Sequence, residues 1–128
     1  MRGLVLAAAV LAAGCSRSGE PEAPKTYPAA GAVRTANGIG LSGGTVEFES
    51  TLDPGARAVG EIGSDGKFVL KTPHKDRQLD GAAAGPYRVT VTPAAGPEFS
   101  GQPIILPDLV NVQAGKNDFN LQLPSGKR

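Results

Sequence analysis

The sequence predicts an all-β fold, an antiparallel Greek-key sandwich of about seven strands in two sheets, on three observations. The 128-residue chain carries 18 glycines and 11 prolines, residues that interrupt helices. Four separate stretches alternate apolar and polar side chains with period two, the mark of strands with one face to a core and one to water. Asn37-Gly38 and Asp65-Gly66 are dipeptides that accept positive φ and close hairpins. A helical bundle is excluded, and a doubly wound α/β fold disfavoured, because both need long uninterrupted helices.

The elements follow in order. A weak first strand is expected over residues 32–35. Val46 and Phe48 alternate with Thr45, Glu47 and Glu49 in the second. A further weak strand spans 56–62, and Asp65-Gly66 turns the chain into a run in which Phe68 and Leu70 alternate with Lys67, Val69 and Lys71. Residues 72–80 read as a polar loop. Gly85-Pro86 launches a strand with Tyr87, Val89 and Val91 inward. A strand within 104–112 is interrupted by Pro107, which suits an edge or a bulge. Ala114-Gly115-Lys116-Asn117 sets up the last strand, with Phe119, Leu121 and Leu123 on one face. The core is lean, since four Phe and two Tyr are all the aromatic residues present.

The sandwich is assigned to residues 31–124, with a disordered tail over 125–128. Ahead of it, Met1-Arg2-Gly3 and an apolar decamer over 4–13 make a signal peptide; a membrane span needs ~20 apolar residues. The decamer ends in Leu11-Ala12-Ala13-Gly14-Cys15, followed by polar Ser16-Arg17-Ser18. These residues resemble the bacterial lipobox, which implies cleavage after residue 14 and acylation of Cys15, the only cysteine. The commonest lipobox has Leu three residues before the Cys, where this chain has Ala12. Residues 15–30 then form the lipidated terminus and a disordered proline-rich tether, which reaches some 40 Å at ~3.1 Å per residue when extended. Loss of residues 1–14 leaves 12 basic and 12 acidic groups. Membrane attachment therefore rests on the acyl chains, at about 0.8 kcal/mol per buried CH₂, and not on lipid charge.

Three segments carry a second resemblance: Gly38-Ile-Gly-Leu-Ser-Gly-Gly-Thr-Val-Glu-Phe48 behind the first strand, Asp65-Gly-Lys-Phe68, and Gly85-Pro-Tyr-Arg-Val-Thr-Val91. Together they resemble the carboxypeptidase regulatory-like domain of small bacterial lipoproteins, a relative of the transthyretin-like (prealbumin-type) sandwich. The match covers residues 32–93 and rests on turn glycines and core positions. It implies a non-catalytic accessory module at the bacterial cell envelope, facing the periplasm or the exterior. The implied partners are the membrane, through acyl chains on Cys15, and an envelope protein or a glycan.

Other chemistry is thinly supported. The stretch from Gly38 to Gly43 matches GxGxxG, but a strand follows where a dinucleotide site needs a helix. The near-balance of 13 basic and 12 acidic residues gives no reason to expect nucleic acid. His74 is the sole histidine; with Cys15 acylated, no zinc set can be assembled, and no motif implies a cofactor. The transthyretin-like ring-opening enzymes use several histidines. Asn117 and Asn120 stand on the last strand, but Arg34 in place of a first-strand Lys excludes an isopeptide weld. The alternative reading is a small envelope hydrolase or metal-dependent enzyme using His74 with Asp76 or Asp80, with Ser64 as a conceivable nucleophile. A weak calcium site from Asp53, Asp76 and Asp80 is a further possibility. Loops 73–85 and 93–103 are expected to form a recognition edge carrying His74, Asp76, Asp80 and Phe99, with Phe99 more suited to covering the sandwich end. A third reading is assembly through an exposed sheet edge.

Overall fold

A computed structural model of the chain describes residues 23–97 and 99–124. The expectations for the signal peptide, Cys15, the tether up to residue 22 and the tail 125–128 lie outside the described residues. Among the described residues there are ten strands and no helix: β1 (Ala29–Arg34), β2 (Gly44–Ser50), β3 (Arg57–Glu61), β4 (Lys67–Val69), β5 (Lys71–His74), β6 (Arg77–Asp80), β7 (Gly85–Pro93), β8 (Ile104–Ile105), β9 (Val110–Val112) and β10 (Asn117–Gln122). One sheet has the order β10-β1-β4. The other runs β6-β5-β3-β2-β7-β8, with β9 also paired to β7. The fold is a β-sandwich.

The two sheets meet around Phe48, which is fully buried on β2. Its ring lies 5.2 Å from Phe119 of β10, 5.9 Å from Tyr87 of β7 and 6.2 Å from Phe68 of β4. All three pairs are tilted, the arrangement that aromatic quadrupoles favour. Val33, Val46, Leu70, Val89 and Val91 complete the centre. The period-two reading thus places the inward residues of β2, β4, β7 and β10 on the correct faces.

Four features differ from the sequence expectation. The strands number ten because the stretch read as a polar loop forms β5 and β6, and the strand expected within 104–112 divides into β8 and β9. β1 begins at Ala29, inside the stretch assigned to the tether. β1 and β10 pair in parallel, Ala29 opposite Asn117 through Arg34 opposite Gln122; a parallel pair cannot be closed by a hairpin, so segments distant in sequence make it. Finally, the alternating run from Lys67 to Lys71 is not one strand. It changes sheets at Leu70, whose N–H donates to Ala29 of β1 (2.9 Å) while its carbonyl accepts from Gly81 (2.9 Å) beyond β6. Alternation persists through this crossing because Phe68 and Leu70 both reach the shared core.

The register defines two poles. Residues 23–28 enter at the Ala29 end of β1, where Tyr27 bridges Ala82 and the Thr26 hydroxyl donates to the Asp80 carbonyl at 2.7 Å. At the Arg34 end lie the turn around Asn37-Gly38, the start of β2, the end of β7 opposite it and the Asp65-Gly66 turn. Asn117, one of the few buried polar residues, locks the entry pole. Its carboxamide nitrogen donates to the carbonyls of Pro28 (3.1 Å), Gln113 (2.9 Å) and Gly115 (3.2 Å), and its oxygen accepts from Gln113 N–H at 2.8 Å. One side chain therefore satisfies the turn that ends β9 and ties it to the first residues of β1.

Candidate functional site

The segment read as a loop over 72–80 is a β-hairpin. β5 and β6 pair with Thr72 opposite Leu79 and His74 opposite Arg77, around a turn in which Lys75 has φ 56. Thr72 Oγ1 donates to the Gly81 carbonyl at 2.8 Å and helps to hold the hairpin base. Thr72, His74, Arg77 and Leu79 share one face and Lys71, Pro73, Gln78 and Asp80 the other, so apolar–polar alternation is weak and is overshadowed in the sequence by Pro73 and the charges.

The hairpin keeps His74 beside Asp76 and separates it from Asp80 and Ser64. His74 is half-buried at the tip, next to Asp76 in the turn, while Asp80 sits three residues farther along β6 than Arg77, about 10 Å away at ~3.3 Å per residue. Asp80 is engaged by Lys71, with Nζ to Oδ1 at 2.8 Å. The hydrogen bond and positive charge of that ammonium hold the Asp80 carboxyl below the usual aspartate value. Ser64 is in the turn between β3 and β4, beyond the Glu61 end of β3. From its Val59–Lys71 pair β5 runs antiparallel to β3, toward the Arg57 end. Ser64 and the hairpin tip thus face opposite poles. Asp53 belongs to a tight loop in which Ser50 Oγ accepts from the N–H groups of Leu52 (3.2 Å) and Asp53 (3.0 Å). Among the described residues no three His, Cys, Asp or Glu side chains are grouped to hold a metal ion.

The expected recognition edge is likewise divided. The His74 hairpin tip points to the entry pole, whereas the loop after Pro93 leaves β7 at the far pole. Phe99 in that loop is half-buried and packs against the core, as suits a residue covering the sandwich end. The GxGxxG stretch forms turns here, with Gly38 and Gly43 at φ 88 and 92 and β2 following directly.

Concavities lie at the far pole and beside β4. At the far pole, the turn around Ile39 together with residues 94–97 and Phe99 encloses a cleft of about 360 Å³ lined by Ile39, Leu41, Pro97 and Phe99. Ile39 is 65% exposed despite its size. The second is a groove of about 750 Å³ between β4 of the smaller sheet and the β2, β3 and β5 strands of the larger one, where Val59 and Val69 are flanked by Glu47, Glu61, Lys67 and Lys71. The cross-strand register Glu47–Val59–Lys71 builds its floor. Sequence reasoning missed both. Ile39, an isolated large apolar residue beside Asn37-Gly38, was the available signal for the first; the groove depends on strand order, which has no local signal.

Buried Tyr87, whose hydroxyl donates to the Ala83 carbonyl at 2.7 Å, has its phenol pKa pushed up by burial against that hydrogen bond. It is a structural group near the entry pole. No helix among the described residues is long and apolar enough to cross a membrane. No protein-family model matches the chain, and neither a curated protein nor a solved structure matches it.

Proposed function

We propose that the chain is a lipid-anchored, non-catalytic module of the bacterial cell envelope, a carboxypeptidase regulatory-like sandwich that binds or braces a partner away from the bilayer. The observation that carries this reading is Leu11-Ala-Ala-Gly-Cys15 at the end of an apolar decamer, with Cys15 the sole cysteine. A lone thiol that is acylated poses no oxidation hazard in an oxidising compartment. The geometry of the poles supports it. Tyr27 and Thr26 fasten the incoming chain at one pole, so the Ile39–Phe99 cleft lies at the pole opposite the point where a tether would leave. The engagement of Asp80 by Lys71, and the separation of Asp80 and Ser64 from His74, favour a binding role over hydrolysis.

The test is intact mass of the protein from the membrane fraction beside a Cys15→Ala control. The expected result is an N-terminus at Cys15 carrying acyl mass, absent in the control. An unacylated, freely soluble chain with the same N-terminus overturns the anchor.

A further inference from the structure

The larger sheet overhangs the smaller one beside β10. β4 follows β3 through a tight turn and β10 follows β9 through the Gln113–Asn117 turn, so β10 lies on the side of the sandwich that carries β7, β8 and β9. Among the described residues no strand pairs with β10 on its outer side, but β8 and β9 continue the larger sheet. Ile104 and Val110 pair with the inward residues Val91 and Tyr87, and with Phe119 they remain only partly buried. Among the described residues, this flank of the sandwich is only partly covered.

The missing cover has a ready attachment point. Asn117 N–H donates to Pro28 and Leu123 N–H to Arg34, so in this parallel register residues 117, 119 and 121 face β1. The backbone N–H and C=O groups of Asp118, Asn120 and Gln122 therefore point to the open side. Edge strands are commonly protected by Pro, Lys, a bulge or brevity. β10 is six residues long, with no Pro, Lys or bulge inside it and only Lys116 and Pro124 beside it, whereas β4 has three residues and Lys67, β8 has only two residues, and β6 ends under the incoming chain.

We propose that β10 pairs with β10 of a second copy of this chain, antiparallel about a two-fold axis at Asn120, joining the two smaller sheets into one. The strand is self-complementary in that register. Asn120 meets the partner's Asn120, and the acid Asp118 meets the neutral partner's Gln122, so no like charges oppose one another. On the inner face Phe119 meets the partner's Leu121, and the added strand lies over Ile104 and Val110. The pairing is isologous, as closed dimers require. It sets the two β1 entries at opposite ends of the joint, about 20 Å apart at ~3.3 Å per residue. An extended stretch of the length of residues 16–26 spans that gap.

The experiment uses the full chain with Cys15→Ala, so that an introduced thiol is the only one. Adding Asn120→Cys places thiols on the axis, at a Cα separation of about 5.5 Å in an antiparallel hydrogen-bonded pair, within disulfide reach. Mild oxidation should give a covalent dimer in high yield, and Gln78→Cys on β6 should not. Sedimentation should show a concentration-dependent dimer for the Cys15→Ala chain. Asn120→Lys opposes two ammonium groups on the axis and should weaken that dimer at least about tenfold, with the melting temperature of the dilute monomer unchanged. A chain monomeric at every concentration, equal cross-linking at residues 78 and 120, or a dimer indifferent to Asn120→Lys overturns the proposal.

Discussion

The β5–β6 hairpin and β10 both end a sheet, yet they meet water in opposite ways. The hairpin is short, and its residues are charged or polar at Lys71, Arg77, Gln78 and Asp80. Lys71 and Asp80 pair across it, and the incoming chain at Thr26 and Tyr27 is fastened to its end. β10 is longer, holds a single charge at Asp118, and turns Phe119 and Leu121 inward over a flank that is incompletely covered. The hairpin edge is finished within the monomer by charge and by its own chain; the β10 edge is finished only on its inner side. An edge's length and charge, more than its place in the fold, decide whether it invites another strand.

Phe48→Ala would break this comparison outright, since Phe48 supports β4, β7 and β10 together. Loss of a fully buried phenylalanine costs about 3–5 kcal/mol, and both edges should loosen together in hydrogen exchange. Asn117→Ala should act on one edge. It strands the Gln113 N–H and takes a donor from the Gln113 and Gly115 carbonyls, while Pro28 keeps the Asn117 backbone N–H, for about 1–3 kcal/mol in urea denaturation. Exchange should quicken in β1 and β10 while the β5–β6 hairpin keeps its protection.

Gly81→Ala probes the other edge. Gly81 has φ 90, and an added Cβ would run into the Tyr27 carbonyl. The backbone conformation alone costs about 1–2 kcal/mol for a residue with a side chain. The Tyr27–Ala82 bridge should open, read as faster exchange of the Tyr27 and Ala82 amides, with β10 undisturbed.

The smallest effect belongs to Asp80→Asn. Lys71 lowers the Asp80 carboxyl from its ordinary value near 3.8. The ion pair therefore contributes above that value and is lost as pH falls through the lower, folded-state value. The pair is solvent-exposed, so its contribution is slight. Urea midpoints of parent and variant should differ a little at neutral pH and converge in strong acid. A gap that widens in acid contradicts the assignment.

Much of the fold was legible in the sequence because alternation at β2, β4, β7 and β10 records a local fact, the side of the chain that meets the core. Phe48, Phe68, Val89 and Leu121 could be placed inward with no knowledge of their partners. The hairpin at 71–80 was not legible because Pro73 and the surrounding charges mask a pattern only a few residues long. The grouping of the candidate residues in space was not legible in the sequence. Both His74 with Asp80 and loops 73–85 with 93–103 were grouped by proximity in sequence or by loop character. Antiparallel strands send such neighbours to opposite ends.

The sequence by itself determined the strand-rich class, the turns at Asn37-Gly38 and Asp65-Gly66, and which side chains enter the core, since each depends on backbone sterics and hydrophobicity within a few residues. Only the tertiary structure decided that β1 and β10 run in parallel, that the chain changes sheets at Leu70, that Asp80 answers to Lys71, and that β10 is the open edge. These rest on hydrogen bonds and packing between segments as many as 89 residues apart, as in the Asn117 bond to Pro28. A backbone N–H carries no mark of the distant carbonyl that will accept it.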